Sequence, residues 1–257
     1  MHPTLQNIYS FCKREYLPKK WPTYDEWGIY LTPIFIAALL LFLNKFGRSQ
    51  NLIEYAHRLG YLRNTPRNEL VFYARAMYTI SQYCFYVFIP LLFHLIFPLR
   101  QKNPFGLTFK TEMKYYYLYI GFYLFNFVLL WFVAQTENFQ NFYPLYKPSS
   151  LKMWVIYEFF YLSRFFAIEF FYRGWTLFRL EKIFGIHAFL VMLMPYSLQH
   201  MFKPFPEAIG SIFAGLVLGY LALKGRSIWP GIFLHAGVAF TMDFYAMWHS
   251  GRLSALF

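Results

Sequence analysis

The sequence predicts an all-α fold, a polytopic membrane helix bundle with seven to eight spans. Hydrophobic residues make up 58% of the 257 residues and aromatic residues 25%, whereas charged residues make up only 14%. A soluble globular chain carries roughly 25% charged residues. The apolar residues are gathered in long runs, and prolines and glycines punctuate the connectors between them. A water-facing fold of this size could not bury so much apolar surface, which argues against a soluble enzyme, a disordered chain and a coiled coil.

Seven apolar runs are candidate spans, because a spanning helix needs ~20 mostly apolar residues. The fifth run is short and contains Pro195, and the sixth is rich in small residues that let another helix approach closely. An eighth span would arise if the long second or fourth run divided. In chain order, the runs lie near Gly28–Phe46, Val71–Phe97, Tyr115–Val133, Leu151–Tyr172, Ile186–Met201, Ala208–Leu223 and Ile228–Trp248.

The chain divides into three parts by the character of its residues. Residues 1–27 form a polar N-terminal segment, and residues 28–150 form a scaffold of three spans that are themselves almost uncharged and rich in aromatic residues. Residues 151–257 form a membrane domain that holds the polar groups predicted to lie inside the membrane. Because a charge in hydrocarbon is unfavourable, such groups usually face the bundle interior and mark a pathway or a site.

The net charge is +12, from 24 basic and 12 acidic residues. Most basic residues lie between the apolar runs, where they are placed to contact anionic lipid headgroups. No motif of a nucleic-acid-binding fold accompanies them. We therefore expect membrane lipid, and no nucleic acid, among the partners of this chain.

The fourth run contains charged residues at helical spacing. Glu169 and Arg173 are four residues apart, so they share one helix face and can form an ion pair. One interpretation is an ordinary salt bridge near the membrane interface. The other is a buried glutamate that the guanidinium keeps charged, which is the form that a general base requires.

Two histidines fall in separate apolar runs. His200 lies at the end of the fifth run and His235 about a third of the way into the seventh. With Glu169, they are able to activate a water directly, or to supply the three protein ligands of a catalytic zinc. The spacing leaves both interpretations open.

Three stretches, IEFFYRG, YSLQH and GLVLGYLALKGRSIWPGIFLHAGVAF, carry a family resemblance. They resemble the CPBP family of CAAX-protease and bacteriocin-processing membrane proteins, which includes the type II CAAX prenyl endopeptidase and lysostaphin resistance protein A-like proteins. The resemblance covers about Tyr157–Asp243. It implies a bundle of about eight spans with a polar cavity, and an intramembrane endopeptidase that acts on a peptide or membrane protein. It also implies an integral protein of the bacterial cytoplasmic membrane.

The resemblance assigns roles to five residues. Glu169 matches the second of two adjacent glutamates, and Arg173 matches an arginine four residues later. Tyr196 stands at an aromatic position four residues before the first histidine, His200, and His235 matches the second histidine. The resemblance therefore implies catalytic roles for Glu169, His200 and His235, with support from Arg173 and Tyr196. No cofactor is expected, although zinc bound by the two histidines is not excluded.

Two positions depart from the family pattern. Ile168 stands where the family has its first glutamate, the expected water-activating base, and Ala239 stands where it has an asparagine that stabilises an oxyanion. Loss of an oxyanion donor lowers turnover by ~10²–10³, and loss of a base by ~10²–10⁴. Asp243 lies one turn beyond Ala239 and is close enough to reach the cavity, but its negative charge would repel an oxyanion.

Three functions therefore stay open. In an active endopeptidase, Glu169 and His200 would activate water while His235 polarises the scissile carbonyl. An inactive relative would act as a membrane scaffold or immunity protein. A haem-binding electron carrier would use one histidine pair on each of two helices, His187 with His200 and His235 with His249, although Pro195 interrupts the first pair.

Overall fold

The computed structural model describes residues 23–256. Most of the predicted polar segment, residues 1–27, therefore lies outside the described residues. From residue 23 to residue 256, all the regular structure is helical, as the sequence predicts.

The helices follow the predicted apolar runs closely. In the first half of the chain they are α1 (Tyr24–Tyr30), α2 (Thr32–Phe42), α3 (Ser49–Arg58), α4 (Arg67–Tyr83), α5 (Ile89–Ile96), α6 (Met113–Val133) and α7 (Glu137–Phe142). In the second half they are α8 (Leu151–Glu169), α9 (Leu177–Phe184), α10 (Ala188–Leu198), α11 (Phe205–Gly225) and α12 (Trp229–His249). Wider π-helical turns continue α2 over Leu43–Gly47, join α4 to α5 over Cys84–Phe88 and join α8 to α9 over Phe170–Thr176.

Three helices within residues 23–256 are long and apolar enough to cross a membrane. They are Arg67–Ile96, Met113–Val133 and Phe205–Gly225, and Thr32–Gly47 is a shorter apolar helix. On α6, large apolar side chains such as Phe125 and Phe132 are exposed, which suits a surface in contact with hydrocarbon. The total of seven to eight spans stays a prediction.

The fourth run is longer than its apolar composition predicts. From Leu151 the chain stays helical to Phe184 without dividing, and the helix ends at Gly185, whose φ is +54°. That conformation is available to glycine at little cost. The expected end at Tyr172 was too early, because Arg173 and Arg179 lie inside the bundle with buried side chains. Arg179 donates a hydrogen bond to the Phe97 carbonyl at 2.5 Å.

The small residues of α11 allow close packing against α10, as the sequence predicts. A Cβ at Gly215 would lie 2.9 Å from Cδ1 of Tyr196, and a Cβ at Gly219 would lie 2.8 Å from Cε of Met192. Real Cβ atoms do not approach other atoms so closely, so a side chain at Gly215 would require the Tyr196 ring to shift, and one at Gly219 would require the end of the Met192 side chain to shift. The packing holds Tyr196 in position beside the cavity described below.

The main apolar core joins both halves of the chain. Ile36 and Tyr86 belong to the same buried cluster as Phe171 and Trp175, and the Tyr86 and Phe171 rings stack with centroids 4.7 Å apart. The predicted boundary near residue 150 is therefore bridged by packed side chains, and the division into two membrane parts stays a prediction.

Candidate functional site

A cavity of about 980 Å³ lies within the bundle. One face of α8 and of the π-helical turns after it forms part of its wall, since residues three, four and seven apart share a helix face. The lining residues from this face are Tyr161, Arg164, Phe165, Ile168 and Tyr172. His200, His235 and Ala239 line the same cavity. Both predicted histidines therefore meet at one space, together with both positions that depart from the family pattern.

Glu169 is fully buried and is absent from the cavity lining. Its Oε1 lies 2.7 Å from Nδ1 of His235 and 3.1 Å from Nη1 of Arg173. Its Oε2 has no hydrogen-bond partner among the described residues and faces Gly231, where a Cβ would lie 3.2 Å away. The predicted ion pair with Arg173 is present. Glu169 contacts the cavity only through His235, and whether Glu169 itself activates water stays a prediction.

His235 stands between Glu169 and the cavity. Its side chain is 15% exposed, and its ring packs against Phe165 with centroids 4.4 Å apart. A charged Glu169 accepts a hydrogen bond, so Nδ1 of His235 must donate and carry the proton. In the neutral ring, Nε2 then has a free lone pair.

His200 lies in the turn that follows α10. Its Nδ1 is 3.1 Å from the carbonyl oxygen of Tyr196, an acceptor, so Nδ1 donates and Nε2 again has the lone pair. The Tyr196 ring lies between the two histidines, with its centroid 4.8 Å from that of His200 and 6.3 Å from that of His235. The Arg173 guanidinium stacks over the same ring at 4.0 Å. Tyr196 and Arg173 therefore pack beside the histidines, and their supporting roles stay a prediction.

Asp243 does not reach the cavity. Its side chain is fully buried, is absent from the cavity lining and accepts a hydrogen bond from the Tyr157 hydroxyl at 3.1 Å. The expectation that it faces the site is corrected, because α12 turns this position toward α8, where Glu158 is also buried.

A polar cluster on the cavity wall was missed by the sequence analysis. The Tyr143 hydroxyl donates to Oε2 of Glu207 at 2.5 Å and accepts a hydrogen bond from Nζ of Lys203 at 2.6 Å. Nζ of Lys203 also lies 3.2 Å from Oε1 of Glu207. The four-residue spacing of Lys203 and Glu207 was a usable signal, but the contribution of Tyr143 depends on the tertiary fold.

One of the comparisons with known proteins finds a similarity to part of the chain. Residues 150–241 match the family model described as "Type II CAAX prenyl endopeptidase Rce1-like". This part of the chain, which we call the Rce1-like region, is similar to that family. The match confirms the resemblance stated from the sequence and covers the glutamate, the arginine and both histidines of the site. No curated protein and no solved structure matches the chain.

The Rce1-like match carries a general function with it. It points to activity of the CAAX-protease type, on peptide or protein substrates within a membrane, and proteases of this family generally need no cofactor. Among residues 23–256, His, Cys, Asp and Glu side chains form no group of three that could hold a metal ion. His200 and His235 supply two donors, whereas a catalytic zinc usually has three protein ligands.

The paired histidines of a haem protein do not fit the Rce1-like region. His187 is exposed, and neither His187 nor His249 lines the cavity that contains His200 and His235. The His249 ring instead packs against Trp131 with centroids 4.6 Å apart. The four histidines therefore do not line one common cavity, and the electron carrier stays an alternative that this placement does not favour.

Proposed function

We propose that the Rce1-like region is an intramembrane endopeptidase in which His235, held by Glu169, is the general base that activates water. The contact that carries this proposal is the 2.7 Å approach of Oε1 of Glu169 to Nδ1 of His235. His235 lines the cavity, whereas Glu169 does not. The carboxylate therefore acts behind the imidazole, and the imidazole acts on the substrate side.

A carboxylate in this position has two effects on its histidine. It fixes the tautomer, with the proton on Nδ1 and the lone pair on Nε2, and it stabilises the imidazolium that forms when Nε2 takes a proton from water. His235 then returns the proton to the leaving amine. Arg173 pairs with Glu169 and favours its charged form.

His200 is the second residue of the proposed site. Because its Nδ1 donates to the Tyr196 carbonyl, its Nε2 accepts a hydrogen bond and can orient the same water. Ala239 presents a methyl group to the cavity where an amide would stabilise the oxyanion. We therefore expect a slow enzyme, with turnover lowered by ~10²–10³ relative to a site that has this donor.

The test uses purified protein in lipid vesicles with a quenched fluorescent peptide library. Wild-type protein is expected to cleave some of these peptides, and His235→Ala and His200→Ala are expected to lose that cleavage. His187→Ala is the matched control, because this histidine is exposed and outside the cavity. If His235→Ala and His200→Ala cleave the peptides as fast as the wild-type protein and His187→Ala do, the two histidines have no role in the mechanism.

A second function is favoured by Ile168 and Ala239, which give the cavity two apolar groups at positions where a protease of this family has a carboxylate and an amide. We propose as the alternative an inactive relative that binds a peptide or membrane protein as a scaffold or immunity protein. This function predicts crosslinking of peptides inside the cavity without their cleavage, and unchanged crosslinking in His235→Ala.

The proposed location is the cytoplasmic membrane of a bacterium. The Rce1-like match and the three long apolar helices support an integral membrane protein. The bacterial location rests on the resemblance to bacteriocin-processing proteins. Fractionation of the host cell, with detection of the chain in the inner membrane, tests it.

A further inference from the structure

The cavity is strongly positive. Among the described residues that line it, Glu207 supplies a carboxylate, and this group already pairs with Lys203 and accepts a hydrogen bond from Tyr143. The cationic side chains on the same lining are Arg48, Arg67, Arg75, Lys147, Arg164 and Lys203. A cleft with charges of one sign and low-dielectric walls concentrates ligands of the opposite sign.

The cationic side chains on the cavity lining differ in their exposure to solvent. Arg48, Arg67 and Lys147 are exposed, whereas Arg164 is partly buried. Arg48 and Lys147 belong to connectors between helices and Arg67 is the first residue of α4, so the exposed cations lie at helix ends on the cavity lining. An anionic group that enters there meets positive charge along its way to the histidines.

Arg164 has no hydrogen-bond or ion-pair partner among the described residues. Its buried Nε lacks a hydrogen-bond partner, and none of the ion pairs among the described residues includes it. Its guanidinium instead lies 5.2 to 5.6 Å from the ring centroids of Tyr78, Tyr161 and Phe165. An unpaired charge inside a membrane bundle is unfavourable and marks a functional group by default.

The position of Arg164 links it to the proposed hydrolytic site. It precedes Ile168 by four residues on the cavity face of α8, which places the two Cβ atoms about 5–6 Å apart. The next residue, Phe165, packs directly on His235. A group held by Arg164 would therefore lie beside the bond to be cleaved.

We propose that Arg164 is a specificity-determining residue that binds a carboxylate of the peptide substrate next to the cleaved bond. This inference rests on the proposed function. A guanidinium binds a carboxylate through two parallel charge-assisted hydrogen bonds, and the rings around Arg164 hold its planar group in place. A lipid headgroup bound so close to His235 would obstruct the peptide, so the geometry favours a carboxylate that belongs to the peptide itself.

The experiment compares matched peptides that differ in one carboxylate. Asp is replaced by Asn at each position near the cleaved bond, and a free terminal carboxylate is replaced by an amide, so that the two sources are separated. For wild-type protein, kcat/KM is expected to be about 10- to 100-fold higher for the acidic member of one pair. The difference is expected in KM rather than in kcat, because Arg164 binds the substrate but does not react.

Three variants test the residue. Arg164→Gln is expected to lose the preference for the acidic peptide, and Arg164→Lys to keep part of it. Lys152→Gln is the matched control, since it removes the same charge from an exposed position on the same helix that is not part of the cavity lining, and it is expected to keep the full preference. Thermal unfolding of each variant shows whether it remains folded. If Arg164→Gln does not fold, Arg164→Lys is used to test the preference.

The outcomes separate this inference from the proposed function. Wild-type protein that cleaves both members of every pair equally well overturns the role of Arg164 and leaves the endopeptidase intact. A preference that follows the anionic lipid content of the vesicles rather than the peptide also overturns it. If no peptide is cleaved, the affinity of the peptides for the His235→Ala variant is measured instead. Tighter binding of the acidic peptide than of its neutral partner, together with loss of this difference when Arg164→Gln is added, supports the carboxylate subsite although the endopeptidase fails. Equal binding of both peptides overturns the subsite.

Discussion

Glu169 and His235, which are 66 residues apart in the sequence, are in direct contact between α8 and α12, with Oε1 2.7 Å from Nδ1. The carboxylate is buried, whereas the imidazole lines the cavity. In this arrangement the histidine, and not the glutamate, is the residue that would contact the substrate. The arrangement also makes the glutamate a positioning residue that acts through the histidine.

Replacing Glu169 by Gln removes the charge while it keeps the shape of the side chain. The tautomer of His235 is then no longer fixed and its imidazolium is no longer stabilised, so kcat is expected to fall by ~10²–10⁴ with little change in KM. Peptide cleavage in vesicles measures this. Glu181→Gln, which removes a carboxylate paired with Arg226 outside the cavity, is the control and is expected to cleave as the wild type does. A wild-type rate for Glu169→Gln would contradict the role of the carboxylate.

Replacing Ala239 by Asn is expected to increase the rate. Ala239 lines the cavity on the same helix as His235, and an amide there would donate a hydrogen bond to the oxyanion, which is worth ~10²–10³ in kcat. Ala236→Asn, a position outside the cavity lining, is the matched control. An unchanged or lower kcat for Ala239→Asn in a folded variant would place the reacting carbonyl elsewhere.

Loss of Arg173 is expected to destabilise the protein strongly. Its side chain is fully buried, pairs with Glu169 at 3.1 Å and stacks over Tyr196 at 4.0 Å. Arg173→Met leaves a buried carboxylate without its ion-pair partner, at a cost of about 3–5 kcal/mol in the free energy of unfolding. The exposed pair of Arg58 and Glu54 gives the matched control, since Arg58→Met is expected to cost about 0.2–1 kcal/mol. Denaturant unfolding in detergent measures the free energy of unfolding of both variants. A similar loss of stability in the two would contradict the contacts of Arg173 with Glu169 and Tyr196.

Removal of metal ions is expected to leave cleavage unchanged. Nδ1 of His235 and Nδ1 of His200 both face protein acceptors, and the described residues supply no third ligand beside them. Activity before and after treatment with EDTA, together with the metal content of the protein, measures this. Activity that EDTA abolishes and zinc restores would replace the proposed mechanism with a zinc-dependent one.

The fold and part of the site could be predicted from the sequence for identifiable reasons. Long apolar runs indicate helices that are suited to a membrane, so the helices fall near their predicted positions. The pair of Glu169 and Arg173 follows from helical spacing alone. The end of the fourth run could not be predicted, because buried arginines such as Arg179 resemble the polar end of a span when their partners are unknown.

The orientation of each helix was the part that the sequence could not determine. Glu169 and Ile168 are neighbours, yet Ile168 lines the cavity and Glu169 does not. Asp243 likewise faces Tyr157 instead of the cavity. Rotation of α8 and α12 about their axes is set by packing between helices, including the contact of Phe165 with His235, and no local spacing rule contains that information.

The most direct test of the account is a double-mutant cycle in the rate of peptide hydrolysis, with Glu169→Gln, His235→Gln and both changes together. Two residues that act as one unit give losses that are far from additive. The account predicts that the double variant cleaves no more slowly than His235→Gln alone. Losses that multiply, or a wild-type protein that cleaves no faster than the double variant, would contradict it.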